Sequence, residues 1–364
     1  MHGLREASPY PSRQVIRALI RLSDGGIRFD RTPPTSSTKM VEREKSPTTS
    51  GCTLRHPRQP SLVDTAPCRH YASQMTVLEV IQRSSEFLGK RGVESPRLQT
   101  ELLLAQVLNL PRMKLYLDFE RQLNEGELDR MRQWVKRRGD REPFQHIVGT
   151  TSFCGLELEV TPDALIPRPE TELLAERAWN FLNSRNGAPA QALDFGTGSG
   201  CLAIALARHS TATVDALDVS EAALALAKRN AERHQLSARI QFHLGDGFQA
   251  LPAGSRFDLI VSNPPYIPAG DIAGLEPEVR DHDPRVALDG GADGLDFYRR
   301  LAAGAGALLN AGGLLMVELG DDQDPAARAL FEAGGWSVEA IEKDYSGRTR
   351  ILIAKRLDGK VENT

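Results

Sequence analysis

Cysteine is scarce, with 4 in 364 residues. Cys52, Cys68, Cys154 and Cys201 are scattered, with no Cys-x-x-Cys pair and no cluster with histidine. That pattern argues against a bound metal such as zinc and against a disulfide framework, and makes a reducing compartment the default. Cys201 falls where a helix should begin, a setting that can activate a thiol, but a small buried packing residue is the favoured reading. Long apolar runs are missing as well: none approaches the roughly 18 residues of a membrane span. Neither sign of charge dominates. With 45 Lys and Arg against 48 Asp and Glu, the formal net charge is -3, so nothing global marks a nucleic-acid or membrane binder. The 40% hydrophobic and 26% charged content is that of an ordinary globular protein, long enough for two domains.

Acids are sparse in residues 1–74, which are rich in Arg, Ser, Thr and Pro and lack helical periodicity beyond Val15 to Leu22. Three readings stand side by side: a disordered tail, an organellar presequence, or translated upstream sequence. A disordered extension is favoured, with Met75 as the start of the folded protein. The expected location is cytoplasmic, with the presequence left open.

From Thr76 to Arg141 the pattern is helical. Val77, Ile81, Ser85 and Leu88 share a face; Ser95-Pro96 reads as an N-cap and first turn, followed by a stripe of Leu98, Leu102 and Ala105. Asn124 with Glu127 resembles a capping box ahead of Leu128, Met131 and Val135. A small helical bundle over 75–143 is predicted. Phe153, Leu156, Leu158 and Val160 then alternate about Gly155, which predicts a hairpin in a linker over 144–167. After a helix from Glu170, strand and helix patterns alternate to Ala354. The expectation is an α/β domain over 168–356, a mostly parallel sheet with helices on both faces, followed by a tail over 357–364. Ligands of such sheets bind at the carboxyl ends of strands, beside the switch in strand order.

The candidate motifs fall at those ends. Asp194-Phe195-Gly196-Thr197-Gly198-Ser199-Gly200 joins the first strand of the sheet to its first helix. Glycines there let a ligand approach the backbone, beside the free N–H groups of a helix N-terminus. A dinucleotide fingerprint needs glycine where this chain has Cys201, which favours a ligand without phosphates. Asp218, about 20 residues on, can accept from both hydroxyls of a ribose; capping the next helix is the alternative, and Ser220 can fill that role too. Asp246 can accept from an exocyclic amine, with Gly247 or Phe248 against the ring; a plain turn is the alternative.

Asn263-Pro264-Pro265-Tyr266 follows an apolar strand directly. Two prolines contribute no N–H, so the strand stops and local carbonyls lose their ladder partners. The Asn263 side-chain oxygen and the Pro264 carbonyl can then accept both hydrogens of an –NH2 group, and Tyr266 offers a face for a planar amide or base. Holding both N–H bonds aims the nitrogen lone pair.

Together these residues resemble the class I methyltransferases that act on amide or amino nitrogens. Within that group the chain is similar to the bacterial peptide chain release factor glutamine methyltransferases, over about Met75 to Arg356. Beyond the cofactor motifs, the resemblance is carried by Gln145-His146-Ile147-Val148-Gly149, by Ile166 and Pro167-Arg168-Pro169-Glu170-Thr171-Glu172, by Pro284 to Gly291 and by Ser346-Gly347-Arg348. It implies a Rossmann-like fold, an N-terminal helical domain that docks the substrate, and S-adenosylmethionine as cofactor. The cofactor would be held by Asp194, Gly196, Thr197, Gly198, Ser199, Gly200, Asp218, Asp246 and Gly247, with Asn263 at its reactive end. The substrate implied is the glutamine of the Gly-Gly-Gln motif in class I release factors, its amide held by Asn263, Pro264, Pro265 and Tyr266. Arg168 and Glu170 would close over cofactor or substrate, or form a structural salt bridge.

Arg130, Arg132, Lys136, Arg137, Arg138 and Arg141 form a basic run that reads as a solvated helix face, a docking surface or a nucleic-acid contact. Two rival enzymes follow: a ribosomal-protein glutamine methyltransferase, and an adenine amino-methyltransferase on nucleic acid. The second lacks the basic groove it would need, so nucleic acid is disfavoured as substrate.

Overall fold

The computed structural model describes residues 75–185 and 190–357. The expected extension over 1–74 and nearly all of the expected tail lie outside the described residues.

Among the described residues five helices come first: α1 (Val77–Lys90), α2 (Pro96–Val107), α3 (Arg112–Leu115), α4 (Glu125–Gly139) and α5 (Phe144–Val148). Thr76 and Asn124 close capping boxes with Glu79 and Glu127 at the starts of α1 and α4. Ser95 does not cap α2. It adopts a left-handed conformation, φ 46°, and makes no side-chain cap bond, so the start of α2 rests on Pro96. The buried stripe of α2 also differs from the predicted one. Leu98 is exposed, and Thr100, Leu103, Leu104 and Val107 face inward. Glu101 is buried beside them because Arg97 (2.9 Å), Arg112 (2.9 Å) and the Tyr116 hydroxyl (2.7 Å) all donate to its carboxylate. Residues 144–148, predicted within the hairpin linker, form α5 instead, and Ile147 packs into the bundle core.

The hairpin itself is present. Strands β1 (Thr150–Phe153) and β2 (Leu156–Glu159) pair antiparallel, with Phe153 opposite Leu156. Cys154 and Gly155 both have positive φ, 50° and 74°, as a two-residue hairpin turn requires. Phe153 and Leu158 are buried in the same core cluster as the first helices of the α/β domain, so the hairpin packs as part of that domain.

The remaining elements are α6 (Thr171–Ser184), β3 (Gln191–Phe195), α7 (Cys201–His209), β4 (Thr213–Asp218), α8 (Glu221–Arg233), β5 (Ile240–Leu244), β6 (Phe257–Ser262), α9 (Pro277–Arg280), α10 (Asp296–Gly304), β7 (Leu309–Glu318), α11 (Asp324–Ala333), β8 (Trp336–Lys343) and β9 (Thr349–Arg356). The seven strands β3 to β9 form one sheet in the order β5-β4-β3-β6-β7-β9-β8. β3 to β7 run parallel, and β9 is antiparallel to both β7 and β8. Alternate residues feed two cores. Ala192, Val214, Leu259 and Val261 pack against α6, α7 and α8; Leu193, Leu217, Ile260 and Val317 pack against α10 and α11. The switch in strand order lies between β3 and β6. No helix among the described residues is long and apolar enough to cross a membrane.

Candidate active site

The carboxyl ends of β3, β4, β5 and β6 surround a cleft of about 330 Å³. The glycine loop forms its floor. Gly196 and Thr197 donate their N–H groups to Leu217 O at 2.9 and 3.0 Å, which ties the loop to β4. Asp194 is buried beneath the loop rather than in the cleft wall. Its Oδ2 accepts from the Thr197 hydroxyl (2.6 Å) and the Ala203 N–H (3.0 Å), and burial pushes its carboxyl up to about 7. Asp194 Oδ1 has no protein partner.

Asp218 ends β4 in the wall. It accepts from Gly198 N–H (2.8 Å) and from Ser220 N–H (2.9 Å), while Ser220, not Asp218, caps α8. Gly196 and Gly198 have φ of 77° and 54°, and an added Cβ would meet nothing closer than 4.0 Å, so the floor leaves room for a ligand against the backbone. Asp246 and Gly247 also line the cleft, with Asp246 paired to Arg300. Phe248 is turned away: it stacks on Phe195 at 4.7 Å between ring centroids and fills the space beside Gly304. The apolar walls come from Leu217, Val219, Val286 and Phe297. Val219 and Val286 are about half exposed, at 51% and 53%, and present apolar surface to the cleft. Cys201 lines the cleft too, and burial pushes its thiol up to about 12, the inert behaviour of a packing residue.

Of the tetrapeptide, Asn263 and Pro265 face the cleft. Pro264 is buried, and the Tyr266 ring packs against Gly320 and the apolar cluster of β6 and β7. Burial raises the Tyr266 hydroxyl to about 12. The tetrapeptide is held from both sides. Ser262 donates to Phe195 O (2.6 Å), locking the end of β6 to the start of the glycine loop. Gln323 donates to Tyr266 O (2.8 Å), and Ile267 exchanges backbone bonds with Leu288 and Gly290. That exchange explains the Pro284 to Gly291 motif: it is the cradle of the tetrapeptide. Gly290 permits the approach, since a Cβ there would sit 2.8 Å from Tyr266 Cα.

Sequence reasoning missed the group behind Asn263. Asn263 Nδ2 donates to Thr171 Oγ1 (3.0 Å), and the Thr171 hydroxyl donates to Glu318 Oε2 (2.6 Å). Arg168 lines the cleft and donates to the buried Asp283 (2.6 Å), the structural salt bridge among its two expected roles; Glu170 is exposed at the start of α6. The basic run is largely paired within the chain. Arg138 donates to Glu278 (2.8 Å) and Gln99 (3.1 Å); Arg141 bonds Glu278 (2.6 Å) and Glu276 (2.9 Å). Arg132 and Arg137 pair with Asp129 and Glu142. Arg130, Arg132 and Lys136 are exposed and fit the solvated-face reading.

The chain is similar to known proteins over most of its length. Residues 79–149 match the PrmC N-terminal domain family and residues 171–273 the methyltransferase small domain family. A release factor glutamine methyltransferase from Geobacter sulfurreducens is 46% identical over 278 residues, 76% of this chain and 95% of the relative. One from Moorella thermoacetica is 40% identical over 78% of this chain and 99% of its own length. A methyltransferase of known structure from Pyrococcus furiosus aligns at TM-score 0.42 and 23% identity, over 57% of this chain and 92% of its own. With a helical N-terminal domain, a parallel sheet and relatives of this similarity over nearly their whole length, the chain belongs to the release factor glutamine methyltransferase family.

Proposed function

We propose that this enzyme methylates the side-chain amide nitrogen of the glutamine in the Gly-Gly-Gln motif of class I release factors, and that Asn263 and the Pro264 carbonyl hold that amide. The methyl donor is S-adenosylmethionine, which supplies an electrophilic methyl group on a sulfonium when bound. The cleft fits it: a backbone floor open at Gly196 and Gly198, a carboxylate at Asp218, and apolar walls of Val219, Val286 and Phe297 suited to a planar ring. Thr197, Ser199, Asp246 and Gly247 complete the seat; Asp194 and Gly200 act from behind it, bracing the loop.

The observation that carries the reading is the placement of Asn263. It lies at the end of β6, in the cleft wall, with its Nδ2 already bonded to Thr171. Its oxygen is therefore the end available to accept an N–H. Two carbonyl acceptors fix a planar –NH2 group and orient its lone pair along the cleft toward the donor's end, which lowers the barrier by positioning and electrostatics. No side chain has to remove a proton before attack. Tyr266 contributes by anchoring the loop through its ring and its carbonyl. The helical domain is the docking surface for the release factor, and the cytoplasm is the assigned location.

The reading is tested with labelled S-adenosylmethionine and, separately, release factor, ribosomal proteins and DNA. Label on the release factor glutamine alone is expected. Label in DNA or a ribosomal protein, with release factor unmodified, would overturn it.

A further inference from the structure

Amides look nearly the same from either end, yet only one end of Asn263 can serve an –NH2 substrate. Oxygen toward the cleft accepts an N–H; nitrogen toward the cleft presents a donor to a donor. Something has to set that choice, and rotation about the last side-chain bond of asparagine is easy. The backbone of β6 does not set it, because both orientations use the same backbone.

Thr171 opens α6 and Glu318 ends β7, 147 positions apart in sequence. Both side chains are buried, at 1% and 2% exposure, and Thr171 touches the cleft wall beside Asn263. In its ionised form the Glu318 carboxylate only accepts hydrogen bonds, and a threonine hydroxyl carries one proton. With that proton given to Glu318 Oε2 at 2.6 Å, Thr171 Oγ1 offers only lone pairs to Asn263. The atom 3.0 Å away must then be an N–H donor, Asn263 Nδ2. The reversed amide would set two oxygen acceptors against each other in a dry site, which is costly.

We propose that Thr171, its proton held by Glu318, is a positioning residue that fixes the Asn263 amide with its oxygen toward the cleft. The proposal rests on the reading of Asn263 as an amide clamp. It also gives a role to the threonine inside Pro167 to Glu172, the segment most particular to the sequence pattern: the Thr171 hydroxyl sets the polarity of the substrate site, although it need not touch substrate.

The test uses the full chain with Thr171→Val, Thr171→Ser and Asn263→Ala. Cofactor affinity, kcat and KM for release factor are measured at saturating S-adenosylmethionine. Valine keeps the shape and removes the hydroxyl. We expect Thr171→Val to bind cofactor as the unsubstituted enzyme does, to keep KM, which the remote docking surface governs, and to lose kcat by roughly ten- to a hundredfold. Thr171→Ser, which restores the hydroxyl, should recover most of that loss. Retained cofactor binding shows that each variant is folded. Full turnover in Thr171→Val alongside an inactive Asn263→Ala would overturn the relay and leave the clamp intact. A serine variant as impaired as valine, or a valine variant that loses cofactor, would overturn it too. An active Asn263→Ala would remove the clamp and the relay together.

Discussion

Glu318 is a carboxylate that water hardly reaches, and burial raises its carboxyl to about 7, against the pull of the Thr171 hydrogen bond and the Arg350 charge. In the unfolded chain it titrates near the ordinary 4.5. A folded value above the unfolded one means that the folded state binds the proton more tightly. Its contribution to stability is therefore fully present below about 4.5 and is lost as pH rises through about 7. Glu318→Gln removes this dependence. Its stability, read from denaturant unfolding, should match that of the unsubstituted protein below about pH 4.5 and exceed it above pH 8 by roughly 2–4 kcal/mol. A difference independent of pH would contradict that assignment. Asp194 has the same upward shift but is common to both proteins, so it cancels. At this scale the sequence shows Asp218 and Asn263 readily, because each stands in a short motif with the glycines or prolines that make its chemistry possible. Thr171 and Glu318 are invisible as a pair, since what joins them is the packing of α6 against the end of β7. Tyr266 reads from sequence as a stacking face, and its ring packs against Gly320 and the apolar cluster of β6 and β7.

Between elements, the tetrapeptide is shaped by the loop that follows Leu288. A Cβ at Gly290 would approach the Tyr266 backbone to 2.8 Å and the Gly294 backbone to 2.9 Å, and neither can yield as a side chain end would. Gly290→Ala is expected to cost roughly 1–3 kcal/mol and to lower kcat at unchanged cofactor affinity, because the strain falls on the tetrapeptide and not on the glycine loop. Unaltered melting and turnover would show that the cradle is slack. Elements themselves were largely legible: the strand and helix alternation, the hairpin about Gly155 and the capping box at Asn124 are all present. The face of α2 was not legible, since a hydrophobic stripe cannot anticipate a buried Glu101 satisfied by Arg97, Arg112 and Tyr116. Nor was α5, too short for periodicity to reveal.

Across the whole molecule, Arg138 near the end of α4 and Arg141 just beyond it converge on Glu278 in α9, in the segment that runs on from the tetrapeptide. The helical domain is thereby fastened to the segment of the α/β domain that follows the tetrapeptide. Arg138 is 7% exposed and Glu278 19%, so the contact is shielded from salt and leaves a buried cation if broken. Glu278→Ala should destabilise the protein by roughly 2–4 kcal/mol and reduce turnover on release factor, with cofactor affinity unchanged. A variant with normal melting and turnover would show that the fastening is dispensable. From sequence alone the same arginines read as a solvated face, a docking surface or a nucleic-acid contact, because their acids lie some 140 positions away.

Under the proposed function Asn263 holds the glutamine amide, and the cofactor seat survives its loss. Steady-state methylation of release factor by Asn263→Ala, with S-adenosylmethionine affinity measured by calorimetry on the same sample, tests it most directly. Unchanged cofactor affinity and a kcat reduced by roughly a hundredfold or more are expected. Turnover close to that of the unsubstituted enzyme, with cofactor bound, would contradict it.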